Sequence, residues 1–235
     1  MSAKLPRETM EIRQENLLKL VIDSYIRTAE PVGSKFLVSE FELDMSDATV
    51  RNELRELEEA GFLTHPHTSA GRIPTEAGYK LYVEKLMAPV VTPKKIRAAF
   101  EQIAREAVGD EGVKLASKAL AEEMQNAVIV AFGPDRVYYT GLSGLFAQPE
   151  FRSADYTINA SAMFDQAEDL VGQLFERVVT PGPAIFVGSD NPLGSHFSLV
   201  TARLPNNTII NIMGPLRLDY AKGQSLMNLI LELSN

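Results

Sequence analysis

The chain has 235 residues and no cysteine, which excludes disulfides and thiolate chemistry and fits a reducing compartment. It also lacks an apolar run near the roughly 18 residues needed to span a bilayer. Its start, MSAKLPRETMEIRQENL, has no apolar stretch of the secretory-signal kind. A cytoplasmic protein with no membrane partner is expected. Catalytic signatures are equally sparse. TGLSGLF has Leu145 where a nucleophile elbow requires glycine, and the only histidine after it is His196. VGSDNPLGSH lacks the Lys-Ser/Thr of a P-loop. His65 and His67 could share one side of a strand as metal ligands, but no cysteine or obvious carboxylate accompanies them. No enzymatic activity, cofactor or metal is expected. An excess of basic residues is missing too: the net charge of −8 argues against a surface coated for nucleic acid.

With 45% hydrophobic residues, the chain has enough apolar material for a core in each of two domains. In ETMEIRQENLLKLVIDSYIRTAEPVG, Ile12, Leu17, Val21 and Tyr25, with Leu18, Leu20 and Ile26 beside them, follow the spacing of one helical face, and Pro31 ends it. Ser34 stands where an N-cap belongs, ahead of a short helix whose Phe36, Leu37 and Phe41 are core candidates. Ser46 caps a third helix, DATVRNELRELEEA, and Gly61 is placed to close it in the left-handed conformation.

On that third helix Val50, Leu54 and Leu57 share one face. Ala48, Asn52 and Arg55 fall on the opposite one, with Arg51 at its flank. A short helix, a tight turn and a helix with such an outer face is what a major-groove reader needs. Alanine permits close approach, asparagine pairs bidentately with adenine, and arginine pairs with guanine or phosphate. The plainer alternative is that Arg51 and Arg55 pair with Glu58 or Glu59 on a solvated surface. After Gly61, FLTHPH reads as a strand with Phe62 and Leu63 inward, TSAG as a turn, and RIP as the start of a return strand. Thr75 then caps EAGYKLYVEKL, whose Tyr79, Tyr82 and Leu86 have core spacing. This is a hairpin behind a recognition helix, the wing of a winged helix. Thr68, Ser69 and Arg72 are expected at or near its tip, offering hydroxyls and one cation to phosphates or the minor groove.

EPVGSKFL, SDATVRNELRELEEAGFLTHPHTSAGRIPTEAGYKLYVEKL and, downstream, GLSGLFAQPEF and GPLRLDYAKG together resemble the HrcA family of bacterial heat-inducible transcription repressors. The resemblance implies a homodimer on double-stranded DNA, bound to an inverted-repeat operator, the CIRCE element ahead of chaperone operons, with the chaperonin GroEL holding it active. It places the DNA-reading helix on Ser46 to Ala60, with Thr49, Arg51, Asn52 and Arg55 as contacts, and the wing on His65 to Thr75. Family members typically carry a large inserted dimerisation domain between the segments matching NAVIVAFGP and RVYYTGLSGLFAQPEF. Here the two are joined across Asp135, so the chain resembles a shortened form without that insert.

Residues 1–86 hold eleven Lys/Arg against fifteen Asp/Glu, so bulk attraction to DNA is poor and the placement of Arg51, Arg55 and Arg72 has to matter. Pro89 and Pro93 bracket a linker. KIRAAFEQIAREAV and VKLASKALAEEMQN then read as two helices separated by GDEG, able to pack on the following domain or on a symmetry mate. From Ala127, AVIVAF and RVYYTGL form a hairpin. SAMFDQAEDLVGQLFERV is a helix, AIFVG, FSLVTARL and TIINIMG are strands, and DYAKGQSLMNLILEL is a closing helix. In GPLRLDY, Asp219 can cap the last helix and Arg217 can pair with it.

The expected fold class is α+β: a winged helix-turn-helix over residues 1–87, a helical linker over 88–125 and a small α+β regulatory domain over 126–235, which the family resemblance implies is GAF-like. The expected function is sequence-specific repression of heat-shock genes. The alternative is a regulator that senses a small molecule through its GAF-like domain.

Overall fold

A computed structural model describes residues 11–66, 71–178 and 182–234, with Glu168 described by its backbone alone. The chain divides into two compact units, Met1–Met87 and Ala88–Asn235. Both helix and sheet are present, so the chain is α+β.

In the first unit, helix α1 (Ile12–Thr28) buries Leu17, Leu18, Val21 and Ile22; its last bond runs from the Ala29 N–H to the Tyr25 carbonyl, and the left-handed φ of 57° at Ala29 turns the chain out of the helix. Ile12 does not join this stripe. It is the first residue of the helix and 78% exposed. Helix α2 (Ser34–Glu40) buries Leu37 but leaves Phe36 exposed against the edge of Phe41, so only part of the expected apolar triplet reaches the core. Ser34 is the first helical residue and not the cap, which is Gly33; its hydroxyl is spent on Asp47 instead.

Helix α3 (Asp47–Glu59) packs Val50, Leu54 and Leu57 inward. Gly61, at φ 82°, closes it: its N–H bonds Glu58 O and the Phe62 N–H bonds Leu57 O, satisfying carbonyls the helix end leaves open. Strands β1 (Leu63–Thr64) and β2 (Ile73–Pro74) pair antiparallel, Thr64 against Ile73. Helix α4 (Glu76–Leu81) starts at a Thr75 cap and loosens into a π turn over Tyr82–Leu86. Gly78 is required there, since a Cβ would sit 2.3 Å from the Phe62 carbonyl oxygen. Tyr79 and Tyr82 are buried, and Tyr82 donates to Asp23 of α1 at 2.6 Å.

The second unit is a five-stranded antiparallel sheet. Its strands are β3 (Ala127–Gly133), β4 (Arg136–Thr140), β5 (Ala184–Val187), β6 (Phe197–Arg203) and β7 (Ile209–Pro215), in the order β4-β3-β7-β6-β5. Helices α5 (Lys94–Glu106), α6 (Gly109–Met124) and α10 (Tyr220–Leu233) associate on one face. The other face packs Ile129, Leu199 and Met213 with residues of α7 (Leu142–Phe146), α8 (Ala154–Asp165) and α9 (Ala167–Arg177). With both faces covered, every residue of β7 is buried. Asn211 within it donates its amide N–H to Ile129 O at 3.0 Å.

Two sequence expectations change here. GDEG does not separate two helices but forms the first turn of α6. The stretch SAMFDQAEDLVGQLFERV is broken at Gln166, so two helices replace one. The helices read in residues 88–125, α5 and α6, lie within the second compact unit and contribute Phe100, Leu120 and Ala121 to its core, so of the two packings open to them the one on the following domain is present. At the β3–β4 hairpin, Gly133 pairs with Arg136 after an irregularity in register, leaving Pro134 and Asp135 as a two-residue turn.

Candidate nucleic-acid interface

The outer face of α3 is built from its cap upward. Ser46 accepts the Thr49 N–H at 3.1 Å, and the two hydroxyls lie 2.8 Å apart. This satisfies one of the open N–H groups of the first turn. From there Ala48, Thr49, Arg51, Asn52 and Arg55 are all exposed, while Val50, Leu54 and Leu57 lie in the core. The sequence-predicted helix residues therefore share one solvent-facing surface.

Periodicity alone did not reveal Glu53. It is 5% exposed on the apolar side of α3 and pairs with Arg13 of α1. Its place three residues after Val50 and four before Leu57 is the signal that could have found it, since a carboxylate there needs a cation from a neighbouring element.

Every cation of this surface has an acidic neighbour. Arg51 Nη2 lies 3.0 Å from Asp47 Oδ2, and Asp47 also accepts from Ser34, so α2, the turn and α3 are linked through one carboxylate. Arg55 approaches Glu59 only to 3.9 Å. The solvated-surface alternative is thus met in part, although Arg51 uses Asp47 and not Glu58 or Glu59. Glu58 accepts from His65 Nδ1 and forms an ion pair with Arg72, whose Nε is 2.8 Å from Oε2 without the alignment of a hydrogen bond.

Arg72 is not at the tip of the hairpin. Its N–H and carbonyl both pair with Val32 at 2.8 Å, and Ile73 beside it is already in β2. Gly71 makes this approach possible, since a Cβ there would fall 2.5 Å from the Val32 carbonyl carbon. Thr68 and Ser69 lie outside the described residues, as does His67. His65 is engaged by Glu58, the carboxylate that the sequence pattern did not reveal, and among the described residues no group of three or more His, Asp or Glu side chains could hold a metal.

In the second unit Asp219 caps α10, accepting the Lys222 N–H at 3.0 Å. Arg217 meets Glu150 through Nε at 2.5 Å and Nη2 at 3.1 Å, and Gln148 at 2.5 Å. The fold brings GLSGLFAQPEF and GPLRLDYAKG together at this point, where a bidentate carboxylate is the better partner for a planar guanidinium. Beside them Tyr156 donates to the His196 carbonyl at 2.7 Å. Burial, with the Glu150 charge adding to it, pushes the Tyr156 phenol well above its ordinary value, and Arg217 partly opposes the shift. On the opposite face, a cavity of about 330 Å³ opens between α5, α6, α10 and the β6–β7 turn, lined by groups such as Phe100, Ala107, Val113 and Ile230.

The HrcA protein C terminal domain matches residues 84–223, more than half of the chain. The chain belongs to the HrcA family. The heat-inducible transcription repressor HrcA of Roseiflexus castenholzii (strain DSM 13941 / HLO8) is 46% identical over 122 residues, covering 50% of this chain and 33% of that protein. That of Moorella thermoacetica is 41% identical over 128 residues, 54% of this chain and 37% of its own. The HrcA of Acetivibrio thermocellus reaches 54% identity over 78 residues, covering 33% of this chain and 22% of the relative. This HrcA-family chain spans about a third of the length of the curated relatives it matches. A hypothetical protein whose crystal structure was solved at 2.2 Å resolution shares the fold, with a TM-score of 0.72 over 96% of this chain and 98% of that one, at 15% identity. Among the described residues no helix is long and apolar enough to cross a membrane.

Proposed function

We propose that this HrcA-family chain is a sequence-specific DNA-binding transcriptional repressor of heat-shock genes, acting without catalysis as a homodimer on an inverted-repeat operator of the CIRCE type. In this reading residues 1–87 form a winged helix-turn-helix. Residues 126–235, with α5 and α6 packed on them, form a GAF-like regulatory domain. The observation that carries the reading is the outer face of α3: a Ser46-capped helix with Thr49, Arg51, Asn52 and Arg55 exposed together above a buried Val50–Leu54–Leu57 stripe. Asn52 reads adenine and Arg55 guanine in the major groove. Arg51, Ser46 and the hairpin residues Thr68, Ser69 and Arg72 hold phosphates or the minor-groove rim.

Two copies are needed because one reading helix covers a single half-site, and an inverted repeat is held tightly only when two are fixed at matched spacing. The chaperonin contact implied by the family resemblance belongs to the same reading, and GroEL added to a binding titration should increase the operator-bound fraction. Footprinting on chaperone promoters tests the whole. Protection of an inverted repeat, lost when one half is scrambled, supports it, whereas uniform protection of any duplex rules it out.

A second reading is favoured by the cavity between α5, α6 and α10, whose size falls within the ~300–1,000 Å³ range of small-molecule sites. There the chain is a ligand-responsive regulator. It is distinguished by an operator affinity that changes when a small apolar compound raises the melting temperature of the second unit.

A further inference from the structure

The three arginines assigned to DNA do not start from the same state. Arg55 and Glu59 are 61% and 67% exposed and only 3.9 Å apart, and Arg51 is 66% exposed. Pairs this open to solvent are weak and screened by salt. Arg72 differs: its side chain is 21% exposed and its partner Glu58 is 22% exposed. Glu58 stands three residues after Arg55 and seven after Arg51, so it continues the same stripe of α3. Its second oxygen holds His65, which follows β1, while Arg72 immediately precedes β2. One carboxylate therefore clasps both legs of the hairpin to the last turn of the reading helix.

We propose that Glu58 is a specificity-determining residue, neutralising Arg72 in the free protein and fixing the hairpin legs against α3, so that Arg72 does not grip the phosphates of unrelated DNA. The inference rests on the DNA-binding reading. Non-specific binding is almost wholly counter-ion release, which scales with the charge a protein brings to the phosphates. A guanidinium already matched by a carboxylate brings little net charge, so it adds little to indiscriminate affinity. Operator binding has base contacts as well, and those depend on the geometry that the clasp preserves.

Glu58→Gln removes the charge while keeping the side chain's size. In mobility-shift titrations of the full chain, its affinity for random duplex should rise about eightfold at roughly 0.1 M salt. The plot of log affinity against log salt should steepen by about 0.9, the value for one further phosphate neutralised. Operator affinity should gain less, because the clasp is loosened, and the operator-to-random ratio should narrow. Glu58→Gln combined with Arg72→Gln should return the random-duplex slope to that of the parent. Arg72→Gln alone, which leaves Glu58 in place, should change that slope by far less than about 0.9.

An unchanged slope in Glu58→Gln, a failure of the double variant to restore it, or a full loss in Arg72→Gln alone overturns the inference. If Arg51→Gln still weakens operator binding in the same series, the DNA-binding reading stands without it. If the parent shifts neither operator nor random duplex, the reading fails and the inference falls with it.

Discussion

Asn52 and Leu54 sit two residues apart on α3 and face opposite ways, so truncating each to alanine separates reading from folding. Leu54 is 3% exposed in the core of the first unit. A Leu→Ala change at such a site costs about 2–5 kcal/mol. In a unit of this size each kcal/mol moves the melting midpoint by roughly 4–8 °C, so the transition should fall by about 10–40 °C. Asn52 is exposed and belongs to no ion pair of the helix, so Asn52→Ala should stay within about 0.5 kcal/mol of the parent in stability. Its operator affinity should drop by about 1–3 kcal/mol, the discrimination expected of one bidentate base contact and equivalent to roughly 5–150-fold. The assays are circular-dichroism melts of the full chain and mobility-shift titrations on operator and scrambled duplex, done below the melting point of each variant. An Asn52→Ala protein that binds operator as the parent does, beside a Leu54→Ala protein that melts early, would show that the exposed face of α3 is only solvated surface.

The cap is tested by Ser46→Ala, which should destabilise the first unit by about 1 kcal/mol in urea melts, whereas Ser46→Asp should hold it. Arg217→Ala leaves Glu150 and Gln148 without their partner and should cost about 2–4 kcal/mol after allowance for partial exposure; Arg217→Lys should recover only part of this, because it keeps the charge but not the fork. Equal melts for the two Arg217 variants would argue that only charge matters there. Tyr156 carries a pH prediction. Its folded phenol stays protonated above the ordinary value of about 10, so at higher pH the unfolded chain loses a proton that the folded chain keeps, and stability falls as pH rises. Tyr156→Phe should flatten that alkaline loss while lowering stability at neutral pH by about 1 kcal/mol through the missing bond to His196 O; parallel alkaline profiles would contradict the assignment.

What could be read in the sequence follows from distance along the chain. The caps at Ser46, Thr75 and Asp219 and the left-handed close at Gly61 act within four residues, and each is seen where local chemistry places it. The strands around Val128, Val200 and Ile210 were likewise legible as short apolar runs. Contacts between distant segments were not. Ser34 reads as a cap because nothing local says that Asp47 comes within reach, and nothing local says that Arg217 meets Glu150, 67 residues away. Ile12 and Phe36 fit an apolar stripe, but periodicity does not say whether a partner covers each position. On the candidate site, spacing identified the exposed face of α3. It named Glu59 beside Arg55, but not the Asp47 that holds Arg51, the pairing of Arg72 with Glu58, or the Val32 bridge that puts Arg72 at the root of the hairpin.

The two-residue turn of Pro134 and Asp135 also makes the central sheet a port for added sequence. Both residues are exposed, and the strands on either side are already paired at Gly133 and Arg136. A module spliced between them would leave and re-enter through two backbone points that the hairpin holds side by side. Most of its closure entropy would thus be met before it folds, and the ladder beneath would keep its register. Cargo of very different size could be gained or shed at that point while the helices on both faces stay packed. A foreign binding module grafted there would ride on β3 and β4 as an outboard attachment, with the buried strand β7 shielded from it by β3.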